Sequence, residues 1–450
     1  MNMMKLMLTG SLLALSLNTF VGNAQAADAA RMAELQQRLA LARSQLQRQE
    51  DIRDIEILQR TYGYYVDKNL WPQIADLFTD DGTLEIGGRG VFVGKARVLE
   101  YLNWLGQPVD GRLYDHTQMQ PVVDVSADGM TARGRWRALI FTGGYQQASV
   151  FGNCIYENEY RKENGVWKIS RLHAYFIMYS DLAQGWDKVA TRNTRPEQYL
   201  PPDLPPTLVY DTYPGERTAP YHYDNPVTAP AAESVGVETD VPADVQGMKG
   251  MVDALATRAA RLGDVQAIER LQNIYGHYFD RWQWDQVAAL FADDGSIELA
   301  QRGVYQGKQR VRESLNMFGA QGLHQGEIFN HLLYQPVIHV AADGQSANAR
   351  FREFTMEGRY GGDGVIGGGV YENEYVKDDG VWKIKTHHMY TTFLADYHKG
   401  WSEGPLPSPG PSTEIPPDAA PTVVYESFPH YYVQPFHYDN PVTGRPPLAQ

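Results

Sequence analysis

The chain has 450 residues, of which 43% are hydrophobic and 21% are charged. That composition is typical of a soluble globular protein with more than one domain. The formal net charge is −14, and no cluster of Lys or Arg interrupts the acidic surplus. These features exclude a protein that binds nucleic acid, and they disfavour anionic membrane surfaces and polyanionic substrates as partners.

Residues 1–26 predict a secretory signal peptide. Lys5 supplies the positive charge, residues 6–17 form an apolar stretch, and Ala24-Gln25-Ala26 is a small-x-small cleavage site. The apolar stretch is shorter than a membrane-spanning helix, and no later segment is apolar enough to span. We therefore expect a periplasmic or secreted protein with no membrane insertion after signal cleavage.

An internal repeat organises the rest of the sequence. Residues 156–160 and 371–375 both read Tyr-Glu-Asn-Glu-Tyr, and residues 222–228 and 437–443 both read His-Tyr-Asp-Asn-Pro-Val-Thr. Identity over such runs indicates a tandem duplication of one domain.

The repeat sets the domain boundaries. The first copy spans residues 27–230, a linker rich in Ala, Pro, Val and Asp spans residues 231–243, and the second copy spans residues 244–450. Each copy ends in a tail rich in Pro and Tyr. Because the second tail keeps the sequence of the first without leading to another copy, we expect both tails to pack against their own domain or a neighbouring subunit.

Each copy begins with helical patterns. In the first copy, hydrophobic spacing predicts a long helix over residues 29–69 and a short helix over residues 71–78. Asp80-Asp81-Gly82 predicts a turn, residues 84–93 predict a hairpin, and residues 96–105 predict a third helix.

Four long strands follow the helices. They are predicted over residues 113–125, 131–141, 149–162 and 166–179, and tight turns join them into an antiparallel meander. Helices followed by a strand meander indicate the α+β class. A strongly curved sheet wrapped by helices would enclose a cone-shaped pocket.

Each copy also carries one candidate acid–base pair. Asp67 and Asp280 lie near the C-terminal end of the first helix, where the helix dipole disfavours a negative charge, so their recurrence suggests a partner. His116 and His331 recur in the first long strand. An Asp carboxylate bonded to one imidazole nitrogen would fix the tautomer and leave the other nitrogen as a base. The alternative, two ordinary core or surface histidines, stays open.

Paired carboxylates are a weaker candidate. Glu157 and Glu159, like Glu372 and Glu374, alternate with Asn and therefore share one face of a strand. They could do acid–base work, or they could form a polar outer face paired with Arg or Lys of a neighbouring strand. The second interpretation is favoured.

Metal and cofactor sites are not predicted. No set of His, Cys, Asp or Glu has the spacing of a zinc site, and no Gly-rich phosphate loop follows a strand. Cys154, the single cysteine, is replaced by Gly369 in the second copy, which excludes a thiol nucleophile common to both copies. His387-His388 occurs in the second copy alone, and His387 is set aside for that reason.

The order of these motifs resembles a known family. A helix-borne Asp, the motif Leu-Phe-x-x-Asp, a strand-borne His, and Asn-Glu-Tyr followed by Gly-Val-Trp-Lys resemble the SnoaL-like branch of the nuclear transport factor 2 superfamily, over about residues 52–180 and 265–395. Within it, hexachlorocyclohexane dehydrochlorinase and scytalone dehydratase are most similar. The resemblance implies two tandem nuclear transport factor 2-like cone-shaped barrels of the α+β class, each with helices wrapped by a curved antiparallel sheet.

In those two enzymes an Asp–His dyad catalyses elimination without a cofactor. The resemblance therefore implies a cofactor-independent lyase of aromatic compound degradation, which releases water, halide or a small carbonyl fragment from a small apolar, aromatic or phenolic compound. The catalytic residues it implies are Asp67, His116, Asp280 and His331. The substrate-binding residues would be Tyr65, Tyr156, Tyr175, Tyr278, Tyr371, Tyr390 and His388. Those of the last strand, Tyr175, Tyr390 and His388, could equally lie outside the pocket.

Three alternatives stay open. The protein could be a non-enzymatic periplasmic binding protein for an apolar small molecule, an isomerase or cyclase on the same scaffold, or a lyase in which one copy is catalytic and the other only builds the interface. The implied partner is a small-molecule substrate. We expect the two copies to form a pseudo-dimer within the chain, which could assemble further into a homo-oligomer.

Overall fold

The computed structural model describes residues 3–190, 200–215, 218–228 and 240–448, with side chains from residue 28 onward. Most of the predicted linker, residues 231–239, lies outside the described residues, as do the side chains of the predicted signal peptide. The chain divides into two compact units, residues 1–50 with 233–260 and residues 51–232 with 261–450.

The smaller unit pairs the first part of the N-terminal helix with the residues that open the second copy. Gln36 Nε2 donates to the Pro242 carbonyl at 3.1 Å. Arg258 Nε donates to Glu50 Oε1 at 2.9 Å. Polar side chains of this helix thus have partners within its own unit.

The first domain follows the predicted element order. Its helices are α1 (Met3–Asp67), α2 (Trp71–Asp76) and α3 (Lys95–Trp104). Its strands are β1 (Phe78–Ile86), β2 (Val91–Val93), β3 (Arg112–His116), β4 (Met119–Val125), β5 (Thr131–Gly144), β6 (Ala148–Glu163) and β7 (Val166–Asp181). The α+β class is confirmed.

The second domain repeats this order. Its helices are α4 (Val245–Phe279), α5 (Trp284–Ala289), α6 (Lys308–Ser314) and the short α7 (Gly400–Glu403), with a 3₁₀ turn at Leu315–Met317. Its strands are β8 (Phe291–Leu299), β9 (Val304–Gln306), β10 (Glu327–Val340), β11 (Ser346–Arg359), β12 (Gly364–Asp378) and β13 (Val381–Asp396).

Each sheet is mixed, whereas the meander alone predicted an antiparallel one. The strand orders are β2-β1-β7-β6-β5-β3, with β4 also on β5, and β10-β11-β12-β13-β8-β9. The long strands pair antiparallel as expected, but β1 runs parallel to β7 and β8 runs parallel to β13. The parallel pair arises because β1 precedes the meander and reaches its last strand through a long crossover. Both sheets are open, with an edge strand at each end.

Two local predictions differ from the structure. Asp80-Asp81-Gly82 is not a turn but a bulge within β1, where the register against β7 shifts between Phe78 and Thr83. The first long strand is also interrupted: β3 ends at His116, β4 begins at Met119, and Gln120 within β4 has φ of 52°. Bulges and breaks of this kind bend a strand and redirect its side chains. The bent segment carries His116.

The hydrophobic core of the first domain lies between α1 and the concave face of the sheet. Ile55, Leu58 and Tyr62 of α1 pack with Trp136 of β5 and Ile169 of β7, and all are buried. These α1 residues recur at helical spacing, which places them on one face of the helix.

The two domains share an interface within the larger unit. The Phe141 ring of the first domain stacks on the Phe354 ring of the second at 5.1 Å. Tyr64 of α1 donates its hydroxyl to the carbonyl of Gln335 in β10 at 2.7 Å. Trp401 of α7 donates to a carbonyl of β5 at 3.0 Å. The contact therefore combines apolar packing with buried hydrogen bonds.

Each tail packs against its own domain, as expected, and the second tail also contacts the first domain. In the first tail, Thr207 donates through its backbone N–H and its hydroxyl to Glu85 of its own domain, each at 2.8 Å. Thr422 makes the same two bonds to Glu298 in the second domain. The second tail then crosses to the first domain, where the Tyr431 hydroxyl donates to a carbonyl at the end of α1 at 2.8 Å.

No helix within the described part of the chain is both long and apolar enough to cross a membrane.

Candidate functional site

The first domain encloses a cavity of about 380 Å³. Its wall is mostly apolar and aromatic, with Val66 from α1, Leu84 from β1, Tyr101 from α3, Tyr156 from β6 and Phe176 from β7. A cavity of this size and lining suits a compact, largely apolar molecule.

His116 is one of the few polar groups that line this cavity. Among the described residues its Nδ1 is buried without a hydrogen-bond partner. Burial and, to a smaller extent, the positive charge of Arg352 together lower the pKa of His116 to about 3. The imidazole is therefore neutral at neutral pH and able to accept a proton or a hydrogen bond.

Asp67 does not form the predicted side-chain pair with His116. Its Oδ1 accepts the backbone N–H of His116 at 2.6 Å, and its Oδ2 pairs with the guanidinium of Arg352. The predicted carboxylate–imidazole bond is thus wrong for the first domain, because a cation from the second domain already occupies the carboxylate. Asp67 positions the strand that carries His116 rather than its ring.

The surroundings of Asp67 form a buried charge cluster. Arg352 donates to Asp115 Oδ1 at 2.6 Å as well as to Asp67. Burial raises the pKa of both carboxyls, and the Arg352 guanidinium opposes that rise. Burial lowers the pKa of the neighbouring Lys68 to about 8, against the attraction of the two carboxylates.

The second domain does form an Asp–His pair, and its imidazole is a cation. Asp280 Oδ1 accepts the His331 backbone N–H at 2.8 Å and lies 3.4 Å from Nδ1 of the ring. The other ring nitrogen lies 3.1 Å from Glu357 Oε1. Burial alone would lower the pKa of His331, but Glu353, Asp280 and Glu357 together raise it to about 10. His331 is therefore protonated at neutral pH and unavailable as a base.

Aromatic rings surround His331, where the first domain has its cavity. Phe279 lies 4.9 Å from the imidazole and Phe329 lies 4.4 Å from it, ring centre to ring centre. Phe318 packs on both phenylalanines at 5.4 and 5.5 Å. The position of Phe279 is held by Val66 in the first domain. A larger side chain thus stands in the second domain where Val66 lines the cavity of the first.

His387, which the sequence comparison set aside, lies inside the second domain. It is fully buried, and within the described residues neither ring nitrogen has a hydrogen-bond partner. Its ring lies 4.1 Å from Tyr275 and 4.7 Å from Tyr371. Burial lowers the pKa of His387 to about 3, with a smaller contribution from His388. The next residue, His388, points the opposite way because side chains alternate along a strand.

The predicted substrate-binding residues fall into two groups. Tyr156 lines the first cavity, and Tyr371 lies inside the second domain, where its hydroxyl donates to Glu353. The others do not line the first cavity and lie as follows. Tyr175 stacks on His173 and Tyr390 stacks on His388, on the face covered by the tails; Tyr65 packs against Phe436 of the second tail; Tyr278 is half-buried at the margin of the second core. Of the two placements left open for the last strand, the outer one is observed.

The paired glutamates lie on the outer face, as favoured. Glu157 pairs with Arg135, and Glu159 lies 3.5 Å from Arg171. In the second domain Glu372 pairs with Arg350. These carboxylates lie on the sheet surface and do not line the first cavity.

One cavity residue was missed from the sequence. Arg89 lines the first cavity, where its Nη1 donates to the Tyr101 hydroxyl at 2.7 Å. The repeat carried a signal for it, because Arg89-Gly90 recurs as Arg302-Gly303. A guanidinium at an apolar cavity can stabilise a negative charge that develops on a bound molecule. Within the described residues, no group of three or more His, Cys, Asp or Glu is arranged to hold a metal ion.

Comparison with known proteins identifies the family. A family profile described as SnoaL-like domain matches residues 47–173 and 260–388. The chain belongs to the SnoaL-like domain family. Each match covers one copy of the repeat, so the chain consists of two tandem SnoaL-like domains of the nuclear transport factor 2 superfamily.

Three solved structures show similarity to about one domain each. A proposed scytalone dehydratase from Novosphingobium aromaticivorans is 25% identical over 34% of this chain and 95% of its own, with a TM-score of 0.28. A hexachlorocyclohexane dehydrochlorinase from Novosphingobium barchaimii is 22% identical over 31% of this chain and 94% of its own, with a TM-score of 0.28. Another hexachlorocyclohexane dehydrochlorinase structure is 19% identical over 30% of this chain and 90% of its own, with a TM-score of 0.27.

Proposed function

We propose that the first SnoaL-like domain is a cofactor-independent lyase for a small, largely apolar aromatic or phenolic compound, with His116 as the proton acceptor. The observation that carries the proposal is a neutral imidazole on an apolar cavity of about 380 Å³, with an Nδ1 that has no partner among the described residues. That volume is sufficient for a ligand built around one or two rings. The second domain is proposed to act as a support, because His331 is held as a cation among aromatic rings.

The proposed step is an elimination. His116 accepts a proton from a carbon of the substrate, and the electron pair of that C–H bond forms the new double bond. The leaving group departs with the electrons of its own bond, either as halide or, when it is a hydroxyl that takes up the proton accepted by His116, as water. Arg89 would stabilise the charge that develops on the leaving group or on a phenolic oxygen. A positioned general base typically contributes about 10²–10⁴-fold to the rate.

The experiment is a screen of aromatic and halogenated compounds by mass change, with the purified chain and no added cofactor. For any compound that is converted, His116→Ala is expected to lower kcat/KM by about 10²-fold or more. The matched substitution His331→Ala is expected to leave turnover within a few-fold of wild type when the variant is folded. Retention of turnover in His116→Ala would show that His116 is not the base.

A second candidate is a binding protein without catalysis. It is favoured by one observation, the pairing of Asp67 with Arg352, because the His116 imidazole then lacks the carboxylate that would stabilise its protonated form. This candidate expects stoichiometric retention of an apolar compound by the first domain and no change in its mass. The same screen separates the two candidates.

A further inference from the structure

Arg352 belongs to β11 of the second domain, yet its guanidinium is buried against the first domain. Its side chain is 2% exposed. Nη1 donates to Asp115 and Nη2 donates to Asp67, both of the first domain, while Nε donates to Gln335 Oε1 at 3.2 Å. A planar guanidinium suits such bridging of two carboxylates, which the point charge of a lysine cannot reproduce.

The contacts continue from Asp67 to the cavity. The carboxylate oxygen that is not paired with Arg352 accepts the backbone N–H of His116 at 2.6 Å. We infer that Arg352 is a positioning residue for the first cavity: by binding the second oxygen of Asp67, it keeps the carboxylate from the imidazole of His116. This inference rests on the proposed function of that cavity, and it adds a role for the second domain.

The repeat supplies an internal comparison. Asn330 stands in the second domain where the first has Asp115, and the counterpart of Arg352 is Arg137. Arg137 is exposed and donates to Gln120 of its own domain at 2.8 Å instead of reaching Asp280. At Asp280, which no arginine of the described residues bridges, the carboxylate lies within 3.4 Å of the imidazole. The Asp carboxylate accepts the backbone N–H of the His in both domains, and among the described residues its contact with the ring occurs only where no arginine bridges it.

The charge of Arg352 also acts on the ring. The charged groups around His116 are Arg352, Asp67, Asp115 and Lys68 of the buried cluster, and Arg89 on the cavity wall. Burial and then Arg352 are the two causes that lower the pKa of His116. Without Arg352, the imidazole would lose a repelling cation and gain an unpaired carboxylate nearby. Both changes favour its protonated form.

The test is an NMR titration of the His116 ring in the full chain, assigned by comparison with His116→Gln. Arg352→Gln is expected to raise the titration midpoint of His116 by about one to three pH units. The matched control is Arg350→Gln, because Arg350 lies on the same strand and is equally buried but pairs with Glu372 instead of Asp67. That control is expected to leave the midpoint unchanged.

Two further variants keep the inference testable if Arg352→Gln does not fold. Arg352→Lys retains a cation that can meet one carboxylate only, and it is expected to give a smaller rise. Asp115→Asn leaves Arg352 on Asp67, and it is expected to give no rise. An unchanged midpoint in Arg352→Gln or Arg352→Lys, or an equal rise in Arg350→Gln, overturns the inference. The proposed lyase activity fails separately, through turnover that survives in His116→Ala, because the titration requires no substrate.

Discussion

Asp280 lies 3.4 Å from Nδ1 of His331, and this is the side-chain contact that Asp67 and His116 do not make. Glu357 lies 3.1 Å from the opposite ring nitrogen. Glu353 and these two carboxylates together stabilise the imidazole as the cation, which explains a pKa of about 10 for His331 despite burial. In the second domain the predicted Asp–His pair is therefore a buried ion pair.

The raised pKa of His331 predicts how stability changes with pH. A histidine whose folded pKa of about 10 exceeds its ordinary value of 6.5 contributes stability that is fully present below pH 6.5. That contribution is lost as the pH rises from 6.5 towards 10. We therefore expect His331→Gln to lower the free energy of unfolding strongly at pH 6 and much less at pH 10, measured by urea denaturation.

The control for this prediction is His324→Gln. His324 also contacts a carboxylate, that of Glu327 at 3.3 Å, but its side chain is 67% exposed. An exposed pair of this kind contributes little to stability, so the control should lie close to wild type at both pH values. An equal loss for His331→Gln at pH 6 and pH 10 would contradict the assignment of a buried cation.

His387 predicts the opposite dependence. Its folded pKa of about 3 lies below 6.5, so its neutral burial is tolerated above pH 6.5 and costs stability as the pH falls from 6.5 towards 3. Leu172 occupies the equivalent place in the first domain. We expect His387→Leu to stabilise the chain by about 1–3 kcal/mol at pH 7, because it removes a buried ring without hydrogen-bond partners among the described residues. The gain should be larger at pH 5.

Thermal unfolding at pH 7 and pH 5 checks this prediction. The comparison variant is Leu172→His, which places the same ring in the first domain and should destabilise it more at pH 5 than at pH 7. If His387→Leu were less stable than wild type, His387 would have a partner such as an ordered water, and the expected gain would be wrong.

The fold was predictable because its signals are local or repeated. Helical spacing and the turns between the long strands fix α3 and β5 to β7 to within a few residues of their observed bounds. The parallel pairing of β1 with β7 was not predictable in the same way, because it joins segments far apart in the chain. The Asp80-Asp81-Gly82 sequence suits a turn or a bulge equally, and only the partner strand decides between them.

The candidate site was predictable in its members but not in its contacts. Recurrence singled out His116 and Asp67, and His116 does line the cavity. The partner of Asp67 comes from the other domain, and no periodicity within one copy points to Arg352. Comparison between copies also failed to predict that His387 lies inside the second domain, because a residue unique to one copy gives no recurring signal. Differences between the copies mark where the two interiors diverge.

Val66→Phe tests whether the first cavity is the ligand site. Val66 lines the cavity, and its counterpart Phe279 helps to fill the second domain. A phenyl ring at this position should occupy the space of a bound molecule, so we expect retention or turnover of any compound found in the screen to fall at least about tenfold, with little loss of stability because the cavity has room for the ring. Isothermal titration and turnover assays measure the effect.

The matched control for the cavity is Phe279→Val in the second domain. It should lower the free energy of unfolding by on the order of 2 kcal/mol, since it removes a buried ring, and it should leave ligand retention unchanged. Equal ligand retention in Val66→Phe and wild type would place the ligand outside the first cavity.

The tails offer a prediction about stability alone. Thr207 bonds the buried Glu85 through its backbone and its hydroxyl, and burial raises the pKa of that carboxyl. Thr207→Val keeps the shape and the backbone bond but removes the hydroxyl donor, so we expect a loss of about 1–3 kcal/mol and faster proteolysis of the first tail. Thr422→Val should do the same in the second domain, because Thr422 bonds Glu298 in the same manner. Thr228→Val, in the exposed end of the first tail, is the control and should match wild type. Equal protease sensitivity of Thr207→Val and Thr228→Val would mean that the hydroxyl of Thr207 does not hold the tail in place.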